Sequence, residues 1–139
     1  MSFGHDLDVR VQLLQGVWLF NGCSAAEIGR IATLAVPRSI PSGTEVTREG
    51  DPGSEFFVVV EGDAVASVEG KKVGTIGAGG FFGEMALIDG SPRAATARAK
   101  TACELAPITE KSFLFLVHET PFFAIAVMRT LAERLRRQH

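Results

Sequence analysis

Residues 79–97 read GGFFGEMALIDGSPRAATA, and the rest of the chain is organised around them. Glycines surround Phe81 and Phe82, so the backbone can turn sharply there and approach a ligand closely. A short helix-prone run starts at Glu84, and the pair Asp89-Gly90 is expected to end it. The first N–H groups of a helix are unpaired and carry positive partial charge. The stretch therefore predicts a site for a small anion.

Arg93 is the expected partner of that anion. Pro92 fixes its own φ and restricts the residue before it, so Arg93 leaves the turn in a constrained direction. A planar guanidinium can hold two oxygens of one phosphate, and the small residues Ala94 and Ala95 let backbone N–H groups reach the same oxygens. Because Glu84 would repel a phosphate, we expect its carboxylate to reach a ribose hydroxyl instead.

Either charged residue alone has a simpler interpretation. Arg93 could pair with Asp89 on a surface turn, and Glu84 could only complement the start of a helix. The spacing of the whole stretch favours the binding site over these local roles.

The segment FGEMALIDGSPRAAT resembles the phosphate-binding cassette of cyclic nucleotide-binding domains, F-G-E-(apolar)-A-L-x-x-x-x-P-R-x-A-(Thr or Ser). The motif is most similar to those of protein kinase A regulatory subunits and bacterial cyclic-nucleotide-gated channels. The resemblance implies that Glu84 binds the ribose, that Arg93 binds the phosphate, and that backbone at Ala86, Ala94 and Ala95 contacts the phosphate. The implied ligand-binding residues are Gly83, Glu84, Met85, Ala86, Arg93, Ala94 and Ala95, with Phe82, Thr96, Arg129 and Leu131 as further candidates.

One position departs from the pattern of the kinase regulatory sites. Those sites often carry an acidic residue where this chain has Ser54, and that residue steadies the phosphate-binding arginine. Here either Glu55 or a backbone group has to take over that task.

Length and composition limit the classes of protein that fit. A chain of 139 residues with 46% hydrophobic residues is long enough for one domain with its own core. A formal net charge of −2 gives no overall basic surface, so nucleic acid is not an expected partner.

The N-terminus lacks an apolar signal segment, and apolar runs elsewhere are shorter than the roughly 20 residues of a membrane span. The only cysteines, Cys23 and Cys103, are expected to be reduced thiols. These features predict a soluble, cytoplasmic protein.

Residues 1–35 are predicted to be largely helical. Residues 6–16 alternate apolar and polar side chains as in a strand, but their apolar residues also form a helical stripe, so both structures stay open. Ser24 and Glu27 form a capping-box pattern that predicts a helix over Ala25–Leu34. Its apolar side holds Ile28, Ile31, Ala32 and Ala35, and Trp18, Leu19 and Phe20 are expected to pack this helical region onto the next part of the chain.

Residues 36–108 change to short apolar runs separated by turn signals, which is typical of a sandwich or barrel. The predicted strands are Ala35–Ile40, Glu45–Arg48, Phe56–Glu61, Ala64–Val68, Lys72–Ile76, Ala94–Ala99 and Ala102–Pro107. Residues 109–139 return to helix, with a break or a new helix start at Pro121. Together with the resemblance, this order implies an α+β fold over residues 1–139. The resemblance implies a single cyclic nucleotide-binding domain, in which an antiparallel, jelly-roll-like β-roll holds the short phosphate-binding helix between N-terminal helices and two C-terminal helices.

The last predicted helix carries Phe123, Val127, Leu131 and Leu135 at successive four-residue steps. We expect this stripe to pack on the β-roll of its own chain, with a homodimer through the helix as the alternative. Ligand binding could also move the helix over the pocket, where Arg129 or Leu131 would cap the base. Four arginines near its end suit the helix dipole.

Three classes of function fit a β-roll of this kind. The leading hypothesis is a non-catalytic receptor that senses a cyclic nucleotide; Ala94 offers no hydroxyl, which favours cyclic AMP over cyclic GMP. An enzyme of the cupin type would need metal ligands, but His5, His118 and His139 lie outside the predicted strands, so we expect neither catalysis nor a metal or other cofactor. The third class is a structural or protein-interaction module that does not depend on nucleotide.

The downstream effector is not specified by the sequence. The 139 residues have no room for the helix-turn-helix of bacterial regulators or for the membrane spans of channels. We therefore expect the output to act through a separate protein or through domains that are not part of this sequence.

Overall fold

The computed structural model describes residues 7–15, 20 and 23–137. The helices are α1 (Leu7–Gln15), α2 (Ala25–Leu34), α3 (Glu84–Asp89), α4 (Glu110–Glu119) and α5 (Pro121–Arg137). The strands are β1 (Arg38–Ile40), β2 (Glu45–Thr47), β3 (Glu55–Glu61), β4 (Ala64–Val68), β5 (Lys71–Ile76), β6 (Phe81–Phe82), β7 (Thr96–Ala99) and β8 (Cys103–Thr109).

The strands form two four-stranded antiparallel sheets, in the orders β1-β8-β3-β6 and β2-β7-β4-β5. Helix α3 lies between β6 of the first sheet and β7 of the second along the chain. The predicted α+β fold, an antiparallel β-roll with a short inserted helix and helices at both ends, is confirmed.

The N-terminal helices follow the local signals of the sequence. Residues 7–15 are helical, which decides between the two structures that their pattern allowed. The predicted capping box starts α2: the Ser24 N–H donates to Glu27 Oε1 at 2.9 Å, and the Glu27 N–H donates to Ser24 Oγ at 3.2 Å. The predicted apolar side of α2 is buried as expected, at Ile28, Ile31, Ala32 and Ala35.

Aromatic rings join the helices to the first sheet. Phe56 of β3 packs edge-on against Phe81 and Phe113, and Phe113 packs in turn against Phe123 of α5. Phe20 stacks on Phe123 with 5.8 Å between ring centroids, as expected for the segment between the first two helices. Trp18 and Leu19, which were predicted to pack there too, lie outside the described residues.

No strand was predicted at Phe81 and Phe82. These residues form strand β6, in which Phe82 pairs with Phe57 and Phe81 with Val58 of β3. Both phenylalanines are buried, so burial of two large side chains and pairing with a central strand stabilise this short strand, while Gly79 and Gly83 on either side of it have positive φ. All seven predicted strands are present: Ala64–Val68 has the predicted ends, and the others have at least one end shifted by one to three residues, as is common at element boundaries.

The C-terminal helices meet at Pro121, where the chain bends by 113°. Phe123 and Val127 are buried and Leu131 packs on the same core, so most of the predicted stripe faces the β-roll. Leu135 departs from this expectation because its side chain is 59% exposed. Among the described residues, no single helix is long and apolar enough to cross a membrane, and only the bent pair α4–α5 passes by length and composition.

Phe123 and Phe122 give a direct test of this packing because they are adjacent residues in the same helix. Phe123 is fully buried and Phe122 is 59% exposed. Phe123→Ala is expected to lower the free energy of unfolding by about 3–5 kcal/mol, because it removes a core ring and leaves a cavity. Phe122→Ala should cost less than about 1 kcal/mol. Urea unfolding would measure both, and equal costs for the two variants would contradict the packing described here.

Candidate functional site

A cleft of about 720 Å³ opens between strands β4 and β5, helix α3 and the last turns of α5. It is lined by Phe82, by the four residues 83–86, and by Arg93, Ala94 and Ala95. Eight of the predicted ligand-binding residues therefore line one cleft. Thr96, Arg129 and Leu131 do not line it.

Glu84 is the first residue of α3 and lies at the inner wall of the cleft. Gly83 caps the helix with φ 86° and ψ 5°, a left-handed conformation that glycine adopts at little cost. The Glu84 side chain is buried, with 6% of its surface exposed. A buried carboxylate needs a partner of opposite charge or several hydrogen bonds.

Arg134 of α5 provides that partner. Its Nη1 donates to Glu84 Oε1 at 2.5 Å, and its Nη2 donates to the carbonyl oxygen of Phe81. The guanidinium also lies over the Phe81 ring, with Cζ 4.7 Å from the ring centroid. The carboxylate predicted to bind ribose is thus already paired with a cation of the C-terminal helix.

Sequence reasoning missed Arg134, which it treated only as a cation suited to the helix dipole. The available signal was its position on α5. Phe123, Val127 and Thr130 are the buried residues of this helix, and Arg134 continues their series at the next four-residue step. A charged residue at a core-facing position has to find a buried partner.

Arg93 is held by neutral oxygens. Its Nη1 donates to the carbonyl oxygen of Gly83 at 2.9 Å, and its Nη2 donates to the carbonyl oxygen of Glu55 at 2.7 Å. Asp89 instead accepts hydrogen bonds from the backbone N–H and hydroxyl of Ser91, so the local Arg93–Asp89 pair is not formed. Burial lowers the pKa of the Arg93 guanidinium, and the nearby carboxylates of Glu55 and Glu84 act in the opposite direction.

Ser54 stands where the kinase regulatory sites often have an acidic residue, and a group of Glu55 takes over the task of holding Arg93. It is the backbone carbonyl of Glu55, rather than its carboxylate, that accepts a hydrogen bond from Arg93. The main chain of Arg93 is also fixed, since its N–H donates to the Asp51 carbonyl at 2.8 Å and its carbonyl accepts from the Gly50 N–H at 2.9 Å. The loop before β3 therefore holds both the backbone and the side chain of Arg93.

The three predicted residues outside the cleft have other surroundings. Thr96 accepts a hydrogen bond from the Glu49 N–H at 3.1 Å, and its hydroxyl also lies 3.4 Å from Glu49 Oε1. Leu131 packs against the hydrophobic core, and Arg129 is exposed on α5. Their assignment as ligand contacts, including the base cap, stays a prediction that the geometry of the cleft does not support.

The chemistry of the cleft suits binding of an anion. It combines the Arg93 guanidinium, the carboxylate of Glu84 and small or apolar side chains on the strands, such as Ala66 and Ile76. Across residues 7–15, 20 and 23–137, no group of three or more His, Cys, Asp or Glu side chains could hold a metal ion. His118 lies exposed on α4 next to Glu119, while His5 and His139 lie outside the described residues.

The sequence of this chain is similar to those of known proteins. The sequence model described as "Cyclic nucleotide-binding domain" matches residues 37–120. A cyclic nucleotide-gated potassium channel of Rhizobium etli is 37% identical over 123 residues, which is 88% of this chain and 34% of the channel. A cAMP-dependent protein kinase regulatory subunit of Emericella nidulans is 36% identical over 102 residues, 72% of this chain and 25% of that subunit.

The same similarity holds in three dimensions. A solved structure described as cAMP-bound PfPKA-R superposes with a TM-score of 0.83 and 29% sequence identity, over 94% of this chain and 45% of that one. The chain spans about a quarter to a third of the length of the two curated relatives named above. By its matched sequence and by the cleft that its cassette residues line, the chain belongs to the cyclic nucleotide-binding domain family.

Proposed function

We propose that the cleft binds cyclic AMP and that the chain is a non-catalytic sensor or regulatory module. The observation that carries the proposal is the placement of Arg93, which lines the cleft beside the small residues Ala94 and Ala95. The similar structure named above is described as bound to cAMP, and the two curated relatives named there are a cyclic nucleotide-gated channel and a cAMP-dependent kinase regulatory subunit.

The ligand would divide its polar contacts between two side chains. The cyclic phosphate would accept hydrogen bonds from Arg93 and from the backbone N–H groups of Ala94, Ala95 and Ala86. The ribose 2′-hydroxyl would donate to Glu84. This assignment keeps the carboxylate away from the anion and gives each charge in the cassette a partner of suitable polarity.

The purine would lie along the apolar strands. Ala66 and Ile76 line this side of the cleft, and Met85 of α3 faces it. Ala94 has no hydroxyl to offer a guanine amino group, so cyclic AMP is the preferred ligand and cyclic GMP the weaker one. No cofactor is required for this function.

Helix α5 would report the binding event. Because Arg134 occupies Glu84 Oε1, a ribose hydroxyl that takes this carboxylate has to share it or displace the guanidinium. Displacement would weaken the contact of α5 with the cassette and shift the population of helix positions. Such a shift would pass to a protein effector.

The main alternative is an interaction module on the same fold that does not depend on nucleotide. One observation favours this alternative: the Glu84 carboxylate is already paired with Arg134 and needs no ligand as a partner. Against it stands Arg93, a cation lining the cleft whose side-chain hydrogen bonds go to neutral carbonyl oxygens. The proposed location is the cytoplasm, which the free thiols of Cys23 and Cys103 support.

Calorimetric titration of nucleotide-free protein tests the proposed function. Cyclic AMP is expected to bind, and Arg93→Ala should weaken binding at least about tenfold, because charge-assisted hydrogen bonds of roughly 1.5–3 kcal/mol each are lost. Arg98→Ala is the matched control, since Arg98 bonds Gly43 and Glu45 on the outer surface. No heat with either cyclic AMP or cyclic GMP would reject the receptor function, and unchanged affinity in Arg93→Ala would reject the phosphate contact.

Nucleotide preference is tested by Ala94→Thr. The added hydroxyl can hydrogen-bond guanine, so the ratio of cyclic GMP to cyclic AMP affinity should rise about two- to tenfold for a bond of roughly 0.5–1.5 kcal/mol. Competition titration with both nucleotides measures the ratio. A ratio that stays at the wild-type value would show that Ala94 does not set the preference.

The homodimer is proposed through a different face of α5 from the one that the sequence suggested. Ile125, Met128, Ala132 and Leu135 are all exposed and follow each other at steps of three, four and three residues. This spacing is that of a two-stranded coiled-coil seam, which is complementary to a second copy of itself. The opposite face of the helix is occupied by its own core.

Sedimentation velocity tests this seam. Met128→Glu places a charge in the centre of the proposed contact and is expected to convert dimer to monomer without loss of folding. Ile88→Glu is the control, because Ile88 is a similarly exposed apolar residue on α3 outside the seam. A monomeric wild-type protein, or a dimer that persists in Met128→Glu, would contradict the proposed interface.

A further inference from the structure

The end of the Arg93 side chain is placed by a loop rather than by an ion pair. Within the part of the chain that the structure describes, no carboxylate lies within ion-pair distance of Arg93. The two side-chain hydrogen bonds go to the Gly83 and Glu55 carbonyls, and two backbone hydrogen bonds tie Arg93 to Gly50 and Asp51. A flexible side chain held this way depends on the shape of the surface beneath it.

Gly53 forms that surface. A Cβ atom built on Gly53 would lie 2.3 Å from Arg93 Nε, 2.4 Å from Cζ and 2.9 Å from Nη2. Real Cβ atoms do not approach other atoms so closely. The plane of the guanidinium therefore rests directly on the backbone of Gly53, and any side chain at this position would have to move it.

The backbone conformation does not itself require glycine at this position. The φ of Gly53 lies outside the left-handed region, whereas Gly50, in the same loop as Gly53, and Gly83 both have a left-handed φ. At Gly83 a substitution would combine a clash with Arg93 and backbone strain, so the two effects could not be separated. At Gly53 a substitution would remove only the space that the guanidinium occupies and would not strain the backbone.

We infer that Gly53 is a positioning residue for Arg93: by lacking a side chain, it lets the guanidinium settle on the Gly83 and Glu55 carbonyls and face the cleft. The loop over residues 49–55 thereby takes the place of a carboxylate that would hold the arginine by charge. Since carbonyl oxygens do not neutralise the guanidinium, Arg93 keeps its full charge for an anion. The functional consequence rests on the proposed binding of cyclic AMP.

Gly53→Ala tests the inference. Displacing the guanidinium should weaken cyclic AMP binding at least about tenfold, as in Arg93→Ala, while the melting temperature of nucleotide-free protein changes little because only the end of a flexible side chain moves. Gly29→Ala in α2 is the control, since a Cβ there meets no atom within 4 Å. Wild-type affinity in Gly53→Ala would overturn the inference.

A double variant separates positioning from a general structural role. In an Arg93→Ala background the added methyl group meets no guanidinium, so Gly53→Ala should cause no further loss of affinity. If Gly53→Ala alone is destabilised, adding Arg93→Ala should restore the melting temperature. If Gly53→Ala lowers the affinity and the melting temperature equally with and without Arg93, Gly53 is needed for the structure of the loop and not for the position of Arg93.

A nucleotide-free crystal structure of Gly53→Ala gives a readout that does not depend on the ligand. The guanidinium is expected to have left the Gly83 and Glu55 carbonyl oxygens, and both hydrogen bonds intact would overturn the positioning role. If wild-type protein binds no cyclic nucleotide, the proposed function fails, but this structure still decides whether Gly53 positions Arg93.

Discussion

The ion pair between Glu84 and Arg134 links the cassette to the C-terminal helix. A buried carboxylate is costly without a partner, and here the partner comes from 50 residues further along the chain. Arg134 is itself held by the Phe81 carbonyl and the Phe81 ring, so the pair ties α5 to strand β6 as well as to α3. A ligand that needs Glu84 acts on all of these contacts at once.

The β-roll supplies the geometry that keeps the two cassette charges apart. Strand β3 runs through the middle of this arrangement: its first residue offers the carbonyl that holds Arg93, and its pairing with β6 fixes the start of α3. Arg93 and Glu84 are thus attached to the same sheet through different main-chain contacts. Each can meet a different part of one small ligand without cancelling the other.

Local patterns predicted much of this structure. The capping box at Ser24, the stop at Gly90 and the break at Pro121 act over a few residues, and each was placed correctly from the sequence. Eight of the cassette residues predicted to bind the ligand also line one cleft, whereas Thr96 does not. Local patterns do not predict strand β6, because it depends on pairing with Phe57, which is distant in sequence. They do not predict the role of Arg134 either, because its partner Glu84 is also distant in sequence.

The most direct test of whether the ribose 2′-hydroxyl replaces Arg134 on Glu84 is a crystal structure of the chain with cyclic AMP. We predict that the cyclic phosphate lies on Arg93 and the backbone of Ala94 and Ala95, that the 2′-hydroxyl lies on Glu84, and that Arg134 has moved from its position on Oε1. A nucleotide bound elsewhere, or bound in the cleft with the Glu84–Arg134 pair unchanged and the 2′-hydroxyl away from Glu84, would contradict this prediction.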